Sequence, residues 1–194
     1  MKNKYDVVIL GAGITGLCIA YMLSKKTSLS IAILDKESDI GLHTSGRNSG
    51  VLHAGIYYKP NTLKAELCIQ GKKLLESWIV DNGGNINRCG KIVIPQTEDD
   101  LSTLDKIIEY SKANSVKFKI ITSNEAKNIC SLINIPMKTA LYVPETAVCS
   151  PKEVLKIILE KLKQRNVHFL SNTRVQKVNP NESLIKLKDF TVKY

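Results

Sequence analysis

The sequence predicts an α/β fold, a Rossmann-like βαβ domain opened at the N-terminus, interrupted by a smaller α+β insertion and re-entered near the C-terminus. A short β-branched run ends in a glycine turn, a helix, a second strand and an acid. The middle of the chain alternates short strands with amphipathic helices and has no second glycine fingerprint. A strongly capped helix and a series of short strands then close the chain.

Val7 to Leu10 is apolar and mostly β-branched, which suits a strand buried on both faces of a parallel sheet. Gly11, Gly13 and Gly16 follow it. Gly11 permits the tight turn, Gly13 lets the backbone approach a pyrophosphate, and Gly16 lets helix and strand pack closely. The helix runs from Ile14 to about Lys25 and directs Leu17, Ala20, Tyr21 and Leu23 toward the sheet. Its first residues, Ile14 and Thr15, offer unpaired backbone N–H groups and the positive end of the helix dipole to a phosphate. Ser30 to Leu34 is the second strand. Asp35 ends it about 20 residues beyond the glycines, where a carboxylate can accept from ribose hydroxyls and disfavours a 2′-phosphate. Lys36 follows directly. The alternative is a Rossmann-like unit without a ligand, against which Gly13 speaks, because the turn alone gives it no need to lack a side chain.

At 194 residues the chain can bury a real core in one or two domains, and 43% hydrophobic with 24% charged residues is a globular composition. The apolar N-terminal run is preceded by Asp6 and soon broken by glycines, so it reads as neither a signal peptide nor a membrane span, and a cytoplasmic location is expected. The formal charge of +10 is mostly lysine scattered over helices, with no basic block. This reads as a solvated surface, not a nucleic-acid site, and is compatible with a small anionic substrate or peripheral contact with anionic lipid. The cysteines at 18, 68, 89, 130 and 149 form no CxxC pair, and His43, His53 and His168 are dispersed, so reduced core thiols and no metal are expected.

From Lys36 to Pro60 the residues turn small and polar over a stretch too long for an ordinary connection, and long ordered loops are usually functional. Hydroxyls, Asn48, Arg47 and four glycines between Gly41 and Pro60 leave many backbone N–H groups able to face a polar planar ligand.

Here the chain resembles the FAD-dependent oxidoreductases of the D-amino-acid oxidase and glycerol-3-phosphate dehydrogenase type, and within them most closely the L-2-hydroxyglutarate oxidases and dehydrogenases. The resemblance rests on Tyr5 to Leu17 and, more specifically, on Asn48-Ser49-Gly50-Val51-Leu52-His53-Ala54-Gly55-Ile56-Tyr57-Tyr58-Lys59-Pro60 with Leu63-Lys64-Ala65 after it. It implies a FAD-binding domain of the glutathione-reductase type, with Ser45, Asn48, Ser49, Gly50 and His53 near the isoalloxazine and its linker and Asp35 on the adenosine ribose. Asp35 stands where the family often has glutamate.

Thr62 to about Val80 is expected to be a helix with Leu63, Leu67, Leu74, Leu75, Trp78 and Ile79 on its apolar side, ended by Asp81-Asn82-Gly83-Gly84. Lys91 to Pro95 is a strand, Glu98 to Asn114 a helix with Leu101, Leu104, Ile107 and Ile108 inward, and Val116 to Ile121 another strand. Thr122-Ser123-Asn124-Glu125 has capping-box spacing and opens a short helix that Pro136 cannot let continue. Ala140 to Val143 is a strand. Ser150 then caps a helix with proline at its first position, and Val154, Leu155, Ile158 and Leu162 line its inner face. Val167 to Leu170, Thr173 to Val178, Leu184 to Leu187 and Phe190 to Tyr194 read as strands. By resemblance the last stretch returns to the FAD-binding domain, with Val175 making a backbone contact to adenine. The expected domains are thus 1–80, FAD-binding βαβ unit and flavin-side segment; 81–148, substrate or cap portion; and 149–194, an incomplete return to the FAD-binding domain.

Flavin-dependent oxidation of a 2-hydroxy acid, L-2-hydroxyglutarate to 2-oxoglutarate by resemblance, needs a base and groups for carboxylates. His53 is the first choice of base, since imidazole titrates near working pH; its other reading is a hydrogen bond to flavin or to a backbone carbonyl. Arg47, Tyr57, Tyr58 and Lys59 are candidates for the carboxylates, or else surface and packing residues. An amine or glycerol-3-phosphate oxidoreductase and a non-catalytic nucleotide-binding fragment are the competing classes. Family members continue past the position of Tyr194, so a truncated or split form is expected, completed by a separately encoded C-terminal half; the competing expectation is a self-sufficient small flavoprotein.

Overall fold

The structure, a computed structural model, describes residues 4–187 and 191–194. In chain order its elements begin with β1 (Val7–Leu10), α1 (Ile14–Lys26), β2 (Ile31–Leu34), β3 (Val51–Leu52) and α2 (Leu63–Asp81). They continue with β4 (Ile86–Asn87), β5 (Lys91–Val93), α3 (Asp99–Ala113), β6 (Lys119–Thr122), α4 (Ser123–Ile129), β7 (Thr139–Val143) and β8 (Ala147–Cys149). The last are α5 (Pro151–Lys163), β9 (Val167–Leu170), β10 (Lys177–Asn179), a 3-10 turn (Pro180–Glu182), β11 (Leu184–Lys186) and β12 (Thr191–Lys193). They form two compact units, residues 1–49 with 150–194, and residues 50–149.

The first unit holds a parallel sheet in the order β1-β2-β9, with Val7 opposite Ile31 and Ile31 opposite Val167. Alternation along β2 sends Ala32 and Leu34 to one face, where they share a cluster with Tyr5, just before β1, with Ile185 and Val192 of the antiparallel meander β10-β11-β12, and with Leu187 after β11. Ile31 and Ile33 point the other way and are also fully buried, and α1 packs on both β2 and α5. All four residues of β2 are buried because it is the middle strand. The expectation of burial on both faces fails for β1, which lies at one end of the order and leaves Leu10 51% exposed.

The α5 start is as the sequence implies, with Pro151 at its first position and the Ser150 hydroxyl accepting from the Glu153 N–H at 3.3 Å. Val154, Leu155, Ile158 and Leu162 are all buried. Regular pairing of the expected strand 173–178 is confined to Lys177–Asn179, since Thr173 turns its N–H to Asp35 O (2.7 Å) instead of to a ladder. Phe190, expected to open the last strand, lies outside the described residues.

The second unit is built on two antiparallel sheets, β3-β8-β4 and β5-β7-β6. Ala54, Ile56, Leu104, Val116, Leu141 and Val143 form one core cluster, and Ile121, Ala126, Ile135 and Ala140 another. Both halves of the Thr122–Glu125 capping box are made. The expected strand 116–121 pairs only from Lys119, because Val116 instead closes the end of α3 through its N–H to Ser111 O (2.9 Å).

Helix α2 differs from expectation on its inner face. Leu63, Leu67 and Leu74 are 69%, 57% and 71% exposed, whereas Ala65 and Ile79 are buried. The buried stripe is offset around the helix and includes the half-buried Lys72–Glu76 ion pair (2.8 Å), a polar pair that conceals the stripe from an apolar-periodicity reading. Because α2 packs on β4, it belongs to the second unit, and the first division falls after Ser49 and not after residue 80. The thiols are not core residues either: Cys18, Cys89 and Cys130 are exposed and Cys68 and Cys149 half-buried. Cys18 lies on the outer side of a helix whose inner side is Leu17 and Ala20.

Candidate functional site

The first unit gathers its candidate residues at the C-terminal end of β1. Gly11 takes φ +107°, a left-handed conformation that admits glycine readily. Its N–H donates to Leu34 O at 2.8 Å, which ties the turn to the end of β2. The next N–H, that of Ala12, donates to Asp35 Oδ2 at 2.6 Å, while Asp35 Oδ1 accepts from the Glu37 N–H at 2.9 Å. The acid and the glycine turn are therefore one hydrogen-bonded device.

Two glycines are required for different reasons. A Cβ on Gly16 would lie 2.1 Å from Gly11 O, a backbone collision that nothing can relieve cheaply. A Cβ on Gly13 would meet only the Ser45 hydroxyl, at 3.0 Å. Gly13 thus has a modest structural reason to be bare, contrary to the expectation of none, and the rest of its bareness is left for a ligand.

Helix α1 opens on Gly13, which has no side chain to cap it, and carries no acid in its first turn. The Ile14 N–H donates to Ser45 Oγ at 3.0 Å, so the polar loop is pinned across the helix start. A helix whose own first turn carries no acid, a bare glycine and a serine hydroxyl able to donate onward make a cradle that fits a pyrophosphate. Ser45 thus sits at the start of α1, against Gly13. Asn48 donates to Thr44 O and Ser45 O, both at 3.0 Å, and so braces the same loop. Lys36 pairs with Glu37, which also binds His43 at 2.9 Å; these partners hold the Glu37 carboxyl down to about 2. Lys36 is therefore engaged within the loop. Val175 is partly buried against the Tyr5–Leu34 cluster, two residues after Thr173. Arg47 is exposed and lines a recess of about 280 Å³ with Asp39, Gly41, Lys152 and Lys156. Ser49 is exposed and ends the first unit.

The second unit begins with Gly50, at φ +66°, and carries His53, Tyr57, Tyr58 and Lys59. The Asn114 amide donates to Gly55 O (3.0 Å) and Tyr58 O (2.8 Å), clamping this segment from the end of α3. The His53 and Tyr57 rings meet edge to face, with centroids 6.2 Å apart. Lys91 Nζ stands 4.5 Å from the Tyr57 centroid, and Lys64 Nζ 4.8 Å from that of Tyr58. Burial first and the Lys91 charge second push His53 below its ordinary value of 6.5, which keeps it a neutral imidazole at neutral pH and able to accept a proton. A larger recess of about 470 Å³, lined by Lys72, Lys73, Arg88 and Glu145 among others, holds none of the expected site residues. Lys91 and Asn114 carry no signal in the sequence, where each is one more polar residue at the edge of an element.

Residues 6–190 match the family described as DAO, FAD dependent oxidoreductase. The chain is 35% identical over 194 residues to the mitochondrial L-2-hydroxyglutarate dehydrogenase of Dictyostelium discoideum, covering 95% of this chain and 43% of that protein. To the Homo sapiens protein of the same name it is 32% identical, covering 94% and 40%, and to the Escherichia coli (strain K12) L-2-hydroxyglutarate dehydrogenase 28% identical, covering 95% and 43%. The chain thus spans less than half the length of these relatives. Among solved structures it is similar to FAD-bound L-α-glycerophosphate oxidase from Mycoplasma pneumoniae (TM-score 0.88, 24% identity, 100% of this chain and 52% of that one). It is also similar to glycine oxidase from Geobacillus kaustophilus (TM-score 0.90, 18% identity, 99% and 54%).

Proposed function

This chain belongs to the DAO family of FAD dependent oxidoreductases, and on that premise we propose that it binds FAD through its first unit and serves oxidation of a small 2-hydroxy acid, L-2-hydroxyglutarate to 2-oxoglutarate. The observation that carries the reading is the Asp35–Ala12 hydrogen bond, which joins acid and glycine turn just ahead of a helix whose first turn carries no acid. In this reading Gly11, Gly13, Ile14, Thr15 and Gly16 receive the pyrophosphate and Asp35 accepts from the ribose. Ser45, Asn48, Ser49 and Gly50 follow the cofactor toward its flavin, and Val175 meets the adenine. FAD, when bound, supplies the acceptor for the hydride that leaves C2 of the hydroxy acid.

His53 takes the substrate hydroxyl proton onto an imidazole nitrogen, for which its neutral state is suited. Its ring is held by the edge contact with Tyr57, and its segment by Asn114. Tyr57, Tyr58, Lys59 and Arg47 remain the proposed groups for substrate carboxylates. No helix among the described residues is long and apolar enough to cross a membrane. A cytoplasmic setting is part of the same proposal, supported by the exposed thiols of Cys18, Cys89 and Cys130, which suit a reducing compartment.

The test is dye reduction by the FAD-supplemented chain with L-2-hydroxyglutarate, glycerol 3-phosphate and glycine as separate substrates, with and without a separately expressed polypeptide matching the remaining length of the relatives. Turnover of the hydroxy acid above the others supports the reading. Turnover of glycerol 3-phosphate or glycine instead would replace it with the amine or phosphate class, and FAD binding without turnover in either arm would leave a nucleotide-binding fragment.

A further inference from the structure

Lys91 opens β5 as a half-buried residue, its ammonium 4.5 Å from the centroid of Tyr57, whose ring in turn meets His53. Lys72, Lys36 and Lys163 have acids beside them, Glu76, Glu37 and Glu160, whereas Lys91, like Lys64 over Tyr58, stands against a ring. Among the described residues Lys91 forms no ion pair. Among the described residues its charge meets only the negative face of an aromatic ring, and an ammonium so placed gains from any anion that reaches it. Neither residue is closed off from solvent: Tyr57 is 39% exposed and Lys91 only half-buried.

We propose that Lys91 is a further carboxylate-binding residue of the candidate active site, receiving an anionic group of the substrate beside His53. This rests on the functional reading above and adds to it a specificity-determining cation contributed by β5.

The arrangement also gives that carboxylate an effect on the base. Among the described residues the groups shown to act on the His53 ring are Tyr57 on its own segment and the charge of Lys91 on β5, while the Cys68 thiol on α2, its proton affinity raised by burial, donates to the His53 backbone carbonyl at 3.4 Å. None is an acid. A carboxylate settling on Lys91 brings the first negative charge to the cluster, cancels the repulsion that Lys91 exerts on imidazolium and strengthens His53 as a proton acceptor. By linkage, protonation of His53 strengthens carboxylate binding to the same degree.

The experiment is an NMR titration of His53 in the full 194-residue chain with FAD added, with or without glutarate, at ionic strength matched by sodium chloride. The His53 signal is assigned by its loss in His53→Gln. Glutarate should raise the pH at which wild-type His53 titrates. In Lys91→Met the anion-free midpoint should already be higher, the glutarate shift should vanish and glutarate should bind about tenfold more weakly, the order expected for one charge-assisted contact. Lys91→Arg should restore the shift. The wild-type titration reads the coupling without any substitution, so a variant that misfolds leaves a decisive result in hand. Absence of a glutarate-dependent shift in wild type, or an undiminished shift in folded Lys91→Met, overturns the proposal. An intact coupling in a protein that oxidises no hydroxy acid would sink the functional reading and spare this one; oxidation without coupling would do the reverse.

Discussion

Asp35 Oδ2 and the Ala12 N–H are 2.6 Å apart, so the acid that closes β2 also fixes the glycine turn that closes β1. The acid therefore has two duties, shaping the cradle and presenting an oxygen to a ribose, and its replacement should disturb both. Asp35→Ala is expected to lower the stability of the first unit by about 1 to 3 kcal/mol, the usual result of orphaning a buried donor. FAD affinity should fall more steeply than stability. Urea unfolding and FAD titration on the same samples check this; unchanged FAD affinity would remove Asp35 from the cofactor site.

Gly13 and Gly16 should separate binding from folding. Gly16→Ala drives a Cβ to 2.1 Å from Gly11 O and is expected to destabilise by about 3 kcal/mol or more. Gly13→Ala crowds only a serine hydroxyl, at 3.0 Å. It should keep its unfolding midpoint near wild type and lose FAD, because the methyl enters the phosphate path. If Gly13→Ala holds FAD normally, the cradle is not where the phosphates lie.

Asn114→Ala removes two hydrogen bonds, to Gly55 O and Tyr58 O, and leaves those carbonyls without that donor. A loss of about 1 to 3 kcal/mol in the second unit is expected. With the His53 segment loosened, turnover should drop while FAD retention holds; equal loss of both would make Asn114 a general folding residue.

The depressed His53 proton affinity fixes a pH signature. The acid limb of kcat/KM should lie below the ordinary imidazole value of 6.5 and rise when Lys91 is replaced by Met. For stability the sign runs the same way, since a neutral folded His53 is favoured above the unfolded value near 6.5 and its contribution is lost as pH falls through the lower folded value. His53→Ala should reduce turnover more than FAD retention, as befits a base. Parallel loss of flavin and activity would make His53 a cofactor ligand.

The local motifs are the more legible part of the chain. The glycine spacing, the Asp35 distance, the Ser150–Pro151 start and the Thr122 capping box are local patterns, and local backbone geometry obeys them. What escaped was non-local. Strands of two or three residues such as Val51–Leu52, Ile86–Asn87 and Ala147–Cys149 are too short to show alternation and exist through pairing with β8 or its neighbours. The leucines of helix α2 suggest one inner face, yet it buries a stripe containing Lys72 and Glu76, because two opposite charges can enter a partly buried face together. Lys91 joins His53 only once β5 is placed in its sheet, and no spacing in the sequence foretells that.

The most direct measurement is titration of the purified chain with FAD and, separately, with NAD, followed by flavin absorbance and by intrinsic fluorescence. The account predicts stoichiometric FAD binding, a flavin spectrum that survives desalting, and much weaker NAD binding, with Gly13→Ala losing the FAD signal while remaining folded. Tighter retention of NAD than of FAD, or a folded wild-type chain that binds no FAD, would contradict it.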